Sequence, residues 1–180
     1  MGARQTLPNL WLLSDERNDA ALERALSRLP PGSGFVYRHY HFGAEQRRAR
    51  FDQLAGEARQ SGHLVILSSR SWNEVEEWGG DGLYGYPNAI SADRPNDLLW
   101  LATAHGDEEI AVANRRGADG IFLSPVFPTR SHPGANVLGK EEFYRLAAKS
   151  EVPVIALGGM NADRAIELGW PCWGAIDGLS

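Results

Sequence analysis

The chain has 180 residues, of which 43% are hydrophobic and 23% are charged. This length and composition are typical of one globular domain, 1–180, and exclude a generally disordered chain. Eighteen basic against twenty-three acidic residues give a net charge of -5, which argues against nucleic acid or an anionic membrane as the partner. The single cysteine, Cys172, cannot form an internal disulfide. We therefore expect a cytoplasmic protein.

Short apolar runs alternate with helical stripes along the chain. The first run, NLWLL, is followed by apolar residues at helical spacing from Ala21 to Leu29, and the second run precedes a longer helical stripe from Ala44 to Ala58. The same alternation continues to the last strand. The predicted strands cover residues 9–13, 34–40, 63–69, 81–86, 98–104, 120–126, 152–159 and 172–176.

Eight largely apolar strands alternating with helices predict an α/β fold, because a parallel sheet is covered on both faces. We predict a compact (β/α)8 TIM barrel, which uses all eight strands without an exposed edge. The alternative is an open doubly wound sheet, but its glycine-rich turn would follow the first strand, where this chain has LLSDERND. At about 22 residues per unit, the chain lies near the lower size limit of a barrel.

Two units of the predicted barrel are incomplete. The segment after the fourth strand has little helical pattern, and the eighth strand is followed only by Asp177 to Ser180. We therefore predict that the normal final helix is absent. Its missing cover would expose strands eight and one, so we expect either the N-terminal residues or a partner subunit of a homo-oligomer to cover them.

In a barrel the active site lies just after the strands, at their carboxyl ends. Gly158-Gly159 follows the seventh strand and precedes a helix, an arrangement that can present free N–H groups to phosphate or can simply form a tight turn. Arg38 follows the second strand and could bind a phosphate or carboxylate, or pair with an acidic neighbour. His105 and His132 follow strands five and six, where a histidine can transfer protons or serve only as a hydrogen-bonding residue.

Other patterns point away from function. The sequence contains no paired-cysteine or H-E-x-x-H spacing, so we predict no metal site from spacing alone. The basic run Arg47, Arg48 and Arg50 is interpreted as a solvated helix face.

Two segments resemble the thiamine phosphate synthase / TenI family. They are GADGIFLSPVFPTRSHPGANVLGKEEFYRLA at 117–147 and VPVIALGGMNADRAIELG at 152–169. Weaker similarities, TAH at 103–105 and VYRHY at 36–40, extend the resemblance over most of the chain. The combination of SPVFPT, SHPG and ALGGMNA is far more specific than a lone glycine motif.

The resemblance implies a (β/α)8 barrel that joins a pyrimidine pyrophosphate to a thiazole phosphate, assisted by magnesium at the leaving pyrophosphate. TenI-type relatives keep the barrel and instead aromatise the thiazole by proton transfer without that metal. Carried over by position, the family's substrate-binding residues correspond here to Tyr37, Arg38, Thr103, Thr129, Gly158 and Gly159, with His105 and His132 as the candidates for proton transfer.

The departures from the family pattern affect charged groups. Ser69 stands where the family has a magnesium-binding aspartate, Tyr40 replaces a pyrophosphate lysine, and His132 replaces a loop lysine. The segment 84–88 supplies no carboxylate, and Asp177 falls where a small residue is usual. Three functions therefore stay open. They are a magnesium-dependent synthase that binds a small phosphorylated heterocycle, a metal-independent thiazole tautomerase, and a barrel that binds metabolites or a partner without catalysis.

Overall fold

The computed structural model describes residues 6–91, 93–131 and 133–180. Within them, eight parallel strands form a closed barrel in which each strand pairs with its sequence neighbours and β8 pairs with β1. The predicted TIM barrel is thus confirmed, and the open sheet is excluded. The strands are β1 Leu10–Leu13, β2 Gly34–Tyr37, β3 Leu64–Ser68, β4 Gly82–Gly85, β5 Leu99–Ala104, β6 Gly120–Leu123, β7 Val154–Ala156 and β8 Trp173–Ala175.

In the described ranges, six α-helices cover the outside of the barrel. They are α1 Leu22–Arg28, α2 Ala44–Gln60, α3 Trp72–Trp78, α4 Asp107–Arg115, α5 Gly139–Ala147 and α6 Ala162–Leu168. A 3-10 helix at Glu16–Ala21 precedes α1, and another at Asp177–Leu179 follows β8. Among the described residues no helix lies between β4 and β5, and the 3-10 turn stands where a final helix was predicted to be missing.

Alternate residues of each strand face opposite sides of the barrel wall. One set packs inside the barrel, and the other set packs against the helices, which explains why the strands are apolar along their whole length. The inner set comprises Trp11, Leu13, Val36, Ile66, Tyr84, Leu101, Phe122 and Ile155.

Trp11 fills the lower interior of the barrel. Its side chain is completely buried, its ring meets Phe122 edge-on at a centroid distance of 5.6 Å, and its Nε1 donates to the Pro8 carbonyl at 2.7 Å. The neighbouring strand makes room with Gly34, where any Cβ would overlap the Trp11 ring. A large residue on β1 therefore depends on a glycine on β2.

The wall formed by β8 and β1 is covered within this single chain, so the lack of a normal final helix does not leave it exposed. On its outer face Leu12 is fully buried and Ala175 is 3% exposed within this single chain. The 3-10 segments supply the cover, since Leu179 packs on the outer core and Asn18 Nδ2 donates to the carbonyls of Leu13 and Ile176. The barrel therefore closes at this point without a partner subunit.

Candidate functional site

A cavity of about 1390 Å³ opens at the carboxyl ends of the strands. Its floor consists of the last inward-facing side chains of the strands, which are polar from β2 to β6 and apolar at Leu157 and Ile176. Charge is unevenly distributed, since among the described lining residues six arginines face three carboxylates. These are Arg17, Arg38, Arg47, Arg70, Arg130 and Arg164 against Asp15, Glu74 and Asp177. An excess of planar cationic groups favours an anionic ligand.

The glycine pair lies at the β7 side of the cavity. Gly158 and Gly159 have φ of 96° and 63°, in the left-handed region that favours glycine. A Cβ on Gly158 would lie 2.6 Å from Pro125 Cα, and one on Gly159 would overlap the Pro128 carbonyl oxygen. Within the described residues, neither amide N–H donates a hydrogen bond. Two donors at the cavity wall are therefore available to a ligand.

Arg164, in the first turn of α6, adds a positive charge beside the glycine pair. One Nη1–H donates to the Gly159 carbonyl, and the guanidinium lies over the Phe127 ring at 5.1 Å from its centroid. Its Nε and Nη2 groups make no hydrogen bond to any residue described. The half-buried guanidinium is held in place and keeps donors for an anion.

Arg38 and Thr103 line the cavity from β2 and β5. Arg38 Nη2 donates to Asp15 Oδ2 at 2.8 Å, while its Nε is buried and has no partner in the described chain. Thr103 is 6% exposed, and its buried Oγ1 likewise has no described partner. Buried polar atoms are nearly always hydrogen-bonded, so these two atoms could pair with a polar ligand or with water in the cavity.

The three carboxylates that line the cavity are each paired with an arginine. Asp15 pairs with Arg38 at 2.8 Å, Glu74 pairs with Arg47 at 3.4 Å, and Asp177 pairs with Arg17 at 3.4 Å. Glu74 also accepts a hydrogen bond from Ser69. No group of three metal-ligating side chains occurs in the ranges described. Because magnesium prefers free carboxylate oxygens, this donor set does not fit the metal.

His105 lies at the end of β5 with its ring exposed to the cavity. Its Nδ1 lies 2.8 Å from the Ser124 carbonyl oxygen, which can only accept, so Nδ1 carries the proton of the neutral ring. Nε2 then presents a lone pair toward the cavity, 3.4 Å from the Tyr86 hydroxyl. This tautomer suits a proton acceptor.

The structure brings most of the predicted site residues together. The two exceptions are Tyr37, which faces the helices, and His132, whose position is not described. Thr129 lies on the cavity rim, where its Oγ1 accepts from the Ser131 N–H at 3.3 Å. Tyr37 is fully buried between the barrel and α2, and its hydroxyl donates to the Arg47 carbonyl. Tyr37 faces the helices because Val36, one residue earlier, faces the barrel interior. His132 lies outside the described residues.

The interpretation of the basic run on α2 as a solvated face was wrong for Arg47 and Arg50, whereas Arg48 pairs with Asp52 at the outer surface. Arg47 lines the cavity and donates to the carbonyls of Ser68 at 2.6 Å and Arg38 at 3.1 Å. Arg50 is also largely buried and pairs with Asp19. Arg17, Glu74 and Arg164 are further cavity residues that the sequence pattern missed, since each lies on a helix rather than at a strand end.

A family model described as thiamine monophosphate synthase matches residues 11–169, most of the chain. The chain belongs to the thiamine monophosphate synthase family. Curated family members align with part of it. The thiamine-phosphate synthase of Pyrococcus furiosus is 32% identical over 82 residues, 46% of this chain and 40% of the relative. That of Methanobrevibacter smithii is 36% identical over 84 residues, 47% of this chain and 39% of the relative. The aligned segments thus span about two fifths of each relative's length.

A solved structure confirms that this chain has the fold of the family. The thiamine phosphate pyrophosphorylase from Pyrococcus furiosus superposes with a TM-score of 0.77 at 23% identity, covering 94% of this chain and 85% of that one. In this family member, the described helices include none that is long and apolar enough to cross a membrane.

Proposed function

We propose that this chain binds a phosphorylated thiazole in its cavity and acts in thiamine biosynthesis. Its place in the thiamine monophosphate synthase family supports this substrate class. The observation that carries the proposal is the pair of amide groups at Gly158 and Gly159 beside the Nε and Nη2 donors of Arg164, none of which has a partner among the described residues. Oriented N–H groups and an arginine fork together match the oxygens of a phosphate.

Arg38 and Thr103, on β2 and β5, would hold the remainder of the substrate and a second anionic group. Among the buried atoms without a described partner, Arg38 Nε and Thr103 Oγ1 belong to residues that line the cavity. Thr129 supplies a further hydroxyl close to the glycine pair. Tyr40, 65% exposed beside Arg38, offers an aromatic face for a heterocycle. We also propose a cytoplasmic location, consistent with a single cysteine.

Replacing Arg164 with alanine is expected to weaken binding of thiazole phosphate about 10- to 100-fold, because a charged hydrogen bond contributes about 1.5–3 kcal/mol. Isothermal titration calorimetry measures this directly. Arg48→Ala is the matched control, since Arg48 pairs with Asp52 on the outer surface. Equal affinity of wild type and Arg164→Ala would contradict phosphate binding at the glycine pair.

The second candidate function is a metal-independent proton transfer that aromatises the thiazole. It is favoured over magnesium-dependent coupling to a pyrimidine pyrophosphate by the pairing of all three lining carboxylates with arginines. His105 would act through Nε2, the nitrogen that carries no proton when Nδ1–H donates to the Ser124 carbonyl. In this reaction the imidazole accepts a proton from one position of the ring and returns it at another.

In this second reaction His105→Ala is expected to lower kcat about 10²- to 10⁴-fold, and the wild type should keep its rate in EDTA. The assay follows thiazole aromatisation, with His41→Ala, an exposed histidine outside the main cavity, as the control. Efficient magnesium-dependent coupling that EDTA abolishes would instead identify a synthase. Binding of thiazole phosphate without turnover in either assay would identify a non-catalytic barrel.

A further inference from the structure

Three side chains form a hydrogen-bonded chain behind Arg38. Ser14 Oγ at the end of β1 lies 2.8 Å from His39 Nδ1, and His39 Nε2 lies 2.7 Å from Asp19 Oδ1. His39 is 1% exposed and has a φ of 37°, which is unusual for a residue other than glycine. This strained backbone aims the imidazole inward between Ser14 and Asp19.

The donor of each hydrogen bond in this series can be assigned from the groups at its two ends. Ser14 Oγ accepts the backbone N–H of Arg38 at 2.7 Å, so its hydroxyl proton is free to be donated to His39 Nδ1. Nε2–H then donates to Asp19, which also accepts from Arg50 Nε at 2.7 Å. Burial lowers the pKa of His39 despite the hydrogen bond to Asp19, consistent with a neutral ring.

A Ser–His–Asp series has the connectivity of a hydrolase triad, but the structure gives it another role. Ser14 is fully buried, with no surface for an attacking oxygen to reach a substrate. What Ser14 contacts instead is the backbone of Arg38, whose guanidinium lines the cavity and pairs with the adjacent Asp15. The hydrogen-bonded series Asp19–His39–Ser14 therefore ends on the backbone of Arg38, the arginine proposed to bind an anion.

We propose that Ser14 and His39 are positioning residues that hold Arg38 in the geometry needed to bind an anion in the cavity. This inference rests on one part of the proposed function, namely that Arg38 binds an anionic group of the ligand. Ser14 fixes the backbone of Arg38, while Asp15 fixes one end of its guanidinium, and Nε stays buried without a described partner. Holding the side chain in place before binding reduces the entropy lost on binding.

The test is calorimetric titration with inorganic pyrophosphate. Ser14→Ala should weaken binding roughly tenfold by removing the acceptor for the Arg38 amide. His39→Asn should retain most of the affinity, because asparagine tolerates positive φ and its Oδ1 can accept from Ser14. Ser33→Ala is the matched control, since Ser33 is a buried serine that donates to Pro30 and lies outside the cavity.

A double-mutant cycle with Arg38→Ala separates positioning from a general loss of stability. If Ser14 acts through Arg38, then Ser14→Ala has no further effect on affinity once Arg38 is alanine. An equal loss in both backgrounds, or an equal loss in Ser33→Ala, would overturn the inference, as would a wild type that does not bind pyrophosphate. Binding of pyrophosphate with no binding of thiazole phosphate would overturn the proposed function alone.

Discussion

Replacing Trp11 with alanine is expected to lower the free energy of unfolding by about 3–5 kcal/mol, the usual cost of truncating a buried aromatic residue. The side chain is completely buried in the barrel interior, where it contacts Phe122, and its Nε1–H donates to Pro8. Alanine would leave a void enclosed by the strands, which cannot collapse because their backbone hydrogen bonds fix the barrel diameter. Chemical denaturation followed by circular dichroism measures the change.

Trp173→Ala is the matched control for this prediction. Trp173 is only partly buried and packs on the outer core, so its replacement should cost clearly less. Gly34→Ala should also destabilise the protein, since its Cβ would overlap the Trp11 ring. In the Trp11→Ala background, however, the same change should cost little, because the space is then vacant. Similar losses for Trp11→Ala and Trp173→Ala would contradict the packing described for the interior.

Replacing Gly159 with alanine is expected to weaken binding of thiazole phosphate by at least about 100-fold. The added Cβ would overlap the Pro128 carbonyl and approach Arg164 Nη1 at 2.8 Å, so the loop that presents the two free amides must move. Losing two hydrogen bonds to a charged ligand, at about 1.5–3 kcal/mol each, gives an effect of this size. Calorimetry on the purified variant measures the affinity.

Gly62→Ala separates loop geometry from backbone strain. Gly62 has φ of 67°, almost that of Gly159, but a Cβ there meets no atom within 4 Å. Both variants should therefore lose about 1–2 kcal/mol of stability through the left-handed conformation. Gly159→Ala should lose further stability through its overlap with Pro128, and it alone should lose affinity. A Gly159→Ala protein that binds thiazole phosphate like the wild type would show that the phosphate lies elsewhere.

The barrel was predictable because strand-length apolar runs recur between helical stripes, and burial on both faces leaves that pattern in the sequence. The strand ends were less predictable. The second strand was predicted to reach Tyr40 but ends at Tyr37, because the Arg38 N–H donates to the Ser14 side chain. The segment that covers β8 and β1 was hard to predict for a similar reason. Asn18 bonds to backbone carbonyls from a segment with no apolar pattern.

The candidate site was predictable where residues follow strands and less so where helices contribute. Gly158, Gly159, Arg38 and Thr103 lie in the cavity as expected. Arg47 was assigned to a solvated face. Sequence spacing does not reveal that the first turn of α2 lies beside the cavity, where the Arg47 side chain lines it. A prediction for Tyr37 based on the family motif alone could not tell which side of β2 it faces.

The most direct test of the central claim is a calorimetric titration of the wild type in EDTA with thiazole phosphate and with the corresponding thiazole alcohol. In the part of the chain that the structure describes, the cavity has two amides without a partner and an arginine for phosphate, while each of its three lining carboxylates is paired with an arginine. We predict saturable one-to-one binding of thiazole phosphate that is unchanged by EDTA, and binding of the alcohol at least about tenfold weaker. Equal affinity for the two compounds, or binding only when magnesium is added, would contradict the account.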